Sequence, residues 1–173
     1  MNSIKYTVSD DILASKGLRF ANFIIDYIVQ LILGFVIGFV IIMISDLTGS
    51  YGLSDFLFMS DSRLVDYIFA YIVLFIYYTT IESLTGRSIG KYITKTKVVL
   101  YDGSKPTFNE ILVRSLARMI PLEAFSFLGE LGKGWHDTIS KTYVVDIAKF
   151  EAKKETFEGL DEIGKIGVDE VTF

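Results

Sequence analysis

The sequence predicts an all-α integral membrane protein carrying a small β cap, and three observations carry that prediction. Of its 173 residues 51% are hydrophobic, the mean hydropathy is +0.44, and two apolar runs are each long enough to cross a hydrocarbon core. Cysteine is absent and histidine occurs once, so disulfides, thiolate zinc sites and cysteine nucleophiles are excluded, and neither metal nor cofactor is expected. A formal charge of −4 offers no basic footprint for nucleic acid.

Taken in order, MNSIKYTVSD has no short apolar core and no small-residue cleavage site, so it does not read as a secretory signal. The first predicted helix covers about 20–44, FANFIIDYIVQLILGFVIGFVIIMI, and its stretch 31–44 holds no polar side chain. A hydrocarbon core about 30 Å thick needs ~20 helical residues, so this run is long enough to span. SDLTGSYGLSDFLFMSDSR, 45–63, reads as a loop with a short apolar insert. The second helix is predicted over 64–81, LVDYIFAYIVLFIYYTTI, with aromatic residues at both ends that suit a headgroup belt. Lys5, Lys16 and Arg19 precede the first run, and Arg87, Lys91, Lys95, Lys97, Lys105, Arg114 and Arg118 follow the second. The positive-inside rule then places the N-terminus and the region after the second helix in the cytoplasm, with the acidic loop outside.

A third segment, about 108–131, is apolar yet carries Arg114, Arg118 and Glu123. Glu110, Arg114 and Arg118 recur every four residues and share one helical face, an interfacial pattern. Pro121 interrupts it, so the segment is predicted as a kinked span, a re-entrant piece or a surface helix. TKTKVVLYDG, 94–103, and SKTYVVDIAK, 140–149, alternate polar and branched residues around a Val-Val pair and predict two strands that pair into a cytoplasmic cap. Residues 1–149 form the membrane domain in this reading, and 150–173 an acidic soluble tail.

TGRSIGKYITK, 85–95, fails as a phosphate loop: only three residues separate Gly86 from Gly90, and Tyr92 stands where a hydroxyl would hold magnesium. Arg87, Lys91 and Lys95 are instead expected among anionic headgroups. Gly34 and Gly38 form a G-x-x-x-G pair that permits close helix packing, against the second helix or another copy. Trp135, His136 and Asp137 find no companions for a catalytic set and read as an interfacial anchor with local hydrogen bonds.

RFANFIIDYIV, the stretch ESLTGRSIGKYITKTKVVLYDGSKPTFNEILVRSLARMI and GWHDTISKTYVV together resemble the RDD family of bacterial membrane proteins, named for an arginine and two aspartates. The resemblance covers roughly 14–146 and maps these residues to Arg19, Asp26 and Asp137. It implies a small multispanning protein of the bacterial inner membrane, usually with three spans, and some members are linked to sodium–proton antiport. The family's third hydrophobic segment is longer than the stretch between Arg114 and His136.

If the spanning part of the first helix ends at Ile44, Asp26 lies just inside the cytoplasmic boundary and Arg19 about 10 Å nearer the cytoplasm on nearly the same face. Arg19, Asn22, Asp26, Glu82, Arg114, Arg118 and Asp137 are thus expected to form one polar cluster at the inner interface, with Asp26 paired to an arginine. Two functions follow. One is an accessory or scaffold protein that binds partners through its cytoplasmic face. The other is a sodium–proton antiporter, working as a homo-oligomer with Asp26 as the ion and proton site. The partners implied are the bilayer, a second copy or another membrane protein and, for the antiporter, a sodium ion and a proton.

Overall fold

The computed structural model describes residues 6–129 and 133–169; positions 130 and 131 of the predicted third segment, and 170–173 of the predicted tail, lie outside the described residues. Helix α1 (Lys16–Thr48) starts at Ser15, whose hydroxyl accepts from the Leu18 amide at 3.3 Å, and runs 33 residues, about 50 Å. It outruns the predicted 20–44 because the cap, not the first apolar residue, sets its start. Helix α2 (Gly52–Phe58) occupies the apolar insert of the predicted loop. Helix α3 (Arg63–Thr85) closes at Gly86, whose φ of 73° is a left-handed cap that glycine adopts without strain. Among the described residues, α1 and α3 are the two helices long and apolar enough to cross a membrane. Their outward side chains stay uncovered, Phe35 at 75% and Leu47 at 81% exposure, a surface made for lipid rather than water.

After α3 come α4 (Ile89–Ile93), strand β1 (Thr96–Leu100), helix α5 (Phe108–Ala117), a 3-10 turn (Glu123–Leu128), α6 (Trp135–Ile139), strand β2 (Thr142–Asp146) and α7 (Ile147–Asp169). The two predicted strands pair antiparallel, Val98 opposite Val144. Both faces of this ribbon are covered, which is why each strand carries two adjacent valines rather than one. Val99 and Val145 pack with Val8, Ile12 and Phe150, while Val98 and Val144 pack with Ala14 at the foot of α1. Phe150 therefore joins the cap core, and α7 crosses the predicted boundary at 149/150.

The units α4–β1 and α6–β2 repeat one another. Each is a five-residue helix followed by Thr94-Lys95-Thr96 or Ser140-Lys141-Thr142; both lysines have φ 55°, and both strands bury the same positions. With Val98 facing Val144, a local two-fold relates the two units. Thr96 and Thr142, both wholly buried, share the face that looks toward α1 and α5.

Helix α5 opens with a capping box: Thr107 and the Glu110 carboxylate serve each other's end, the Thr107 amide donating to Glu110 Oε2 at 2.7 Å. It stops at Ala117, and the chain turns through Pro121 to Leu122. Proline lacks an amide donor and disfavours helix in the residue before it. The described part of the predicted 108–131 segment is thus one short helix and a 3-10 turn, not a span.

Candidate functional site

At the cap end of α1 and α3, buried charged groups from five elements meet in two knots. Asp137, wholly buried on α6, receives Arg19 Nη1 of α1 at 2.5 Å and Arg114 Nη1 of α5. Arg114 Nη1 also donates to Thr142 Oγ1 at 2.6 Å, and the Gly134 amide donates to Asp137 Oδ2 at 3.1 Å. Glu82, 1% exposed near the end of α3, receives Lys91 Nζ at 2.8 Å and Arg118 Nη2 at 2.9 Å, with Arg114 Nε 3.2 Å away. Arg114 thus stands between the two knots. Arg118 also lies over the Tyr78 ring, its Cζ 3.6 Å from the centroid.

Asp26 has a different environment from the one expected. Its Oδ1 accepts from Tyr77 Oη and from the Gly90 amide, both at 2.8 Å, and its Oδ2 from Ser88 Oγ at 2.6 Å and Tyr78 Oη at 3.3 Å. No arginine pairs with it among the described residues. The start of α4, capped by Ser88, supplies two of the four donors, and the adjacent tyrosines of α3 supply the others. Gly90 makes this approach possible: a Cβ there would lie 2.6 Å from the Asn22 carbonyl oxygen. Asn22 in turn ties α1 to the turn before β1, accepting from Thr94 Oγ1 at 2.5 Å and donating to Thr96 Oγ1 at 3.1 Å.

The structure brings Arg19, Arg114 and Asp137 together, and Glu82, Arg114 and Arg118. Lys91 is corrected: rather than meeting headgroups it is 4% exposed and neutralises Glu82, because the short helix α4 turns inward. Lys95 is exposed, and Arg87 lies over the Tyr92 ring at 5.4 Å. Of the glycine pair, Gly38 meets Phe58 of α2, at 3.2 Å from where a Cβ would be, whereas a Cβ at Gly34 would meet no described residue beyond its own helix backbone within 4 Å. The sequence reading left out Tyr77, Tyr78, Ser88, Thr94, Thr96 and Thr142, hydroxyls too common to stand out singly. The Thr-Lys-Thr and Ser-Lys-Thr repeat was the signal that could have found the last three.

Glu123 and His136 complete the site. His136 Nδ1 contacts Glu123 Oε1, and His136 Nε2 lies 3.3 Å from Asp137 Oδ1. Burial pushes His136 down to about 4 against the pull of Asp137, with Arg114 and Arg118 pushing the same way. The ring is neutral at pH 7 and donates from Nδ1. Burial works to raise the Asp137 carboxyl, but Arg114, His136 and Arg19 hold it well below the usual carboxylate range. Burial likewise works to raise Glu123, but its hydrogen bonds with the His136 ring and amide and the charges of His136 and Arg118 together hold it lowered. Below an unfolded pKa of about 6.5 the unfolded chain takes up a proton at His136 that the folded site refuses, so stability falls with pH from about 6.5 to about 4. Unfolding of the purified protein in detergent should show a loss of about 2 kcal/mol between about pH 6.5 and 5, above the range where the lowered carboxylates begin to contribute, and no such loss in His136→Gln. The same change between about pH 6.5 and 5 in both proteins would refute it.

A family model described as RDD family matches residues 13–141, more than half of the chain. No curated protein matches the chain, and no solved structure does.

Proposed function

The chain belongs to the RDD family of membrane proteins, and from that premise we propose that it is an accessory or scaffold subunit of the bacterial inner membrane. In this reading both spans cross, the N-terminus and the cap lie in the cytoplasm, and the basic residues Arg87, Lys95, Lys97 and Lys105 on the cap side support that orientation. The observation that carries the reading is the state of Asp26. All four of its hydrogen bonds come from the chain's own hydroxyls and amide, so it joins α1, α3 and α4 as a structural bolt. An ion carrier needs a carboxylate that gives up its partners each cycle and stands near the midplane, reachable from both sides. Asp26 instead lies beside the cap. The open space around Gly34, on a lipid-facing stretch of α1, leaves room for a helix of a partner or of a second copy.

Proteoliposomes carrying a pH-sensitive dye test this. A sodium gradient is expected to move no protons. Asp26→Asn should destabilise the purified protein by about 2 kcal/mol or more, since one acceptor oxygen is lost and an amide is placed among donors. A sodium-driven pH change that a folded Asp26→Asn protein lacks would instead establish antiport. Photo-crosslinking from position 35 should capture a second copy or a membrane partner; capture of lipid alone would remove the scaffold reading.

A further inference from the structure

Helices α1 and α3 are tied near the cap by Asp26 with Tyr77 and Tyr78, and at the other end by Phe58 of α2, which meets Gly38 and lies edge-on to Phe69 with centroids 6.2 Å apart. A cavity of about 250 Å³ opens beside the cap-end tie, lined by residues of α1 on both sides of Asp26. Its α1 wall runs from Arg19 to Gln30, ~16 Å along the helix axis. The two ends differ in chemistry. At the cap end the described lining carries Arg19, Lys91, Arg114 and Arg118 with Asp26 and Glu123, while Glu82 and Asp137, which pair with these cations, are not part of it. The other end is aromatic and aliphatic, with Tyr67, Tyr71 and Leu74.

Three guanidinium nitrogens on this wall have no hydrogen-bond acceptor among the described residues. Arg114 is wholly buried, yet among the described residues its Nη2 has no hydrogen-bond partner and its Nε has only the ion-pair contact with Glu82; Arg19 is 7% exposed, and its Nε has no hydrogen-bond partner there either. A buried guanidinium N–H left unpaired is costly, and both arginines are among the residues that line the same cavity. An occupant that satisfies them must bring acceptor oxygens, preferably anionic, to the cap end and apolar atoms to the rest.

We propose that this cavity binds a phosphate-bearing membrane lipid, its headgroup oxygens accepting from Arg114 Nη2 and Arg19 Nε and the start of its acyl chain lying along Tyr71 and Leu74. The site does not depend on what the cap binds. A phosphodiester supplies the missing acceptors without a proton change, and the lipid enters sideways from the leaflet that the same helices face. Free phosphate carries the same headgroup chemistry but leaves the apolar half of the cavity unused.

Native mass spectrometry of the whole protein, delipidated in detergent, tests the assignment with phosphatidylglycerol, a diacylglycerol of the same chains, and inorganic phosphate. Phosphatidylglycerol should be retained at least about ten-fold better than diacylglycerol, and inorganic phosphate should fail to displace it. Ala70→Phe fills the wall away from the ion pairs and displaces about two methylenes, so it should weaken retention about ten-fold while leaving lipid-free unfolding unchanged. Leu74→Trp places the same block one turn further along, should Ala70→Phe not fold. Equal retention of diacylglycerol overturns phosphate recognition. Inorganic phosphate that binds as well as the lipid overturns the lipid assignment, and full retention by a folded cavity-filled variant overturns the location.

Discussion

Glu82→Gln is expected to lower the stability of the purified protein by about 3–5 kcal/mol, the usual cost of leaving buried charge without its partner. Glu82 is 1% exposed and is the acceptor for Lys91 and Arg118, with Arg114 Nε 3.2 Å from it. The amide keeps the shape and one acceptor but removes the negative charge, so three cations repel one another where water cannot screen them. Denaturant or thermal unfolding in detergent measures the loss. Stability within about 1 kcal/mol of the parent would mean that the cluster is hydrated rather than dry. Arg118→Lys is a milder companion: it keeps the charge but loses the planar stack on Tyr78 and the second contact from Nη1 to Glu82 Oε2.

Gly90→Ala is expected to cost about 3 kcal/mol, a large effect for one methyl group. The added Cβ would lie 2.6 Å from the Asn22 carbonyl oxygen and 3.1 Å from both Asn22 Cα and Asp26 Cγ. Two of these atoms belong to the α1 backbone and cannot swing aside. Helix α4 must therefore back away, and the Gly90 amide loses its 2.8 Å bond to Asp26. Gly34→Ala is the matched control, because its Cβ would meet nothing within 4 Å and alanine favours helix. Equal unfolding midpoints for the two variants would show that α4 does not press on α1 as described.

The two long helices were legible in the sequence because length and apolarity alone decide them, and both strands were legible from their paired valines. The cluster was legible in part, since a charge in apolar surroundings must find a partner and few were available. Which partner it finds was not. Asp26 looked like one half of an ion pair, but the tight turn at Gly90 brings an amide and a hydroxyl to it before any arginine can reach. Lys91 looked like a headgroup contact because its neighbours Arg87 and Lys95 are basic. The direction in which a five-residue helix points is a tertiary matter, and periodicity cannot supply it. His136 was read as making local hydrogen bonds; its contact with Glu123, on the far side of the turn after Pro121, could not be inferred from spacing.

Arg19 and Asp137 are separated by 118 positions along the chain. A ribosome adding about 5–20 residues each second emits them on the order of ten seconds apart. For that interval the start of α1 is already made while its counter-charge is still unsynthesised, and Arg114 emerges in the meantime to await the same aspartate. The nascent chain must therefore carry two arginines without their shared aspartate until α6 arrives. A ribosome that stalls before codon 137 leaves both long helices made and the clasp unfastened.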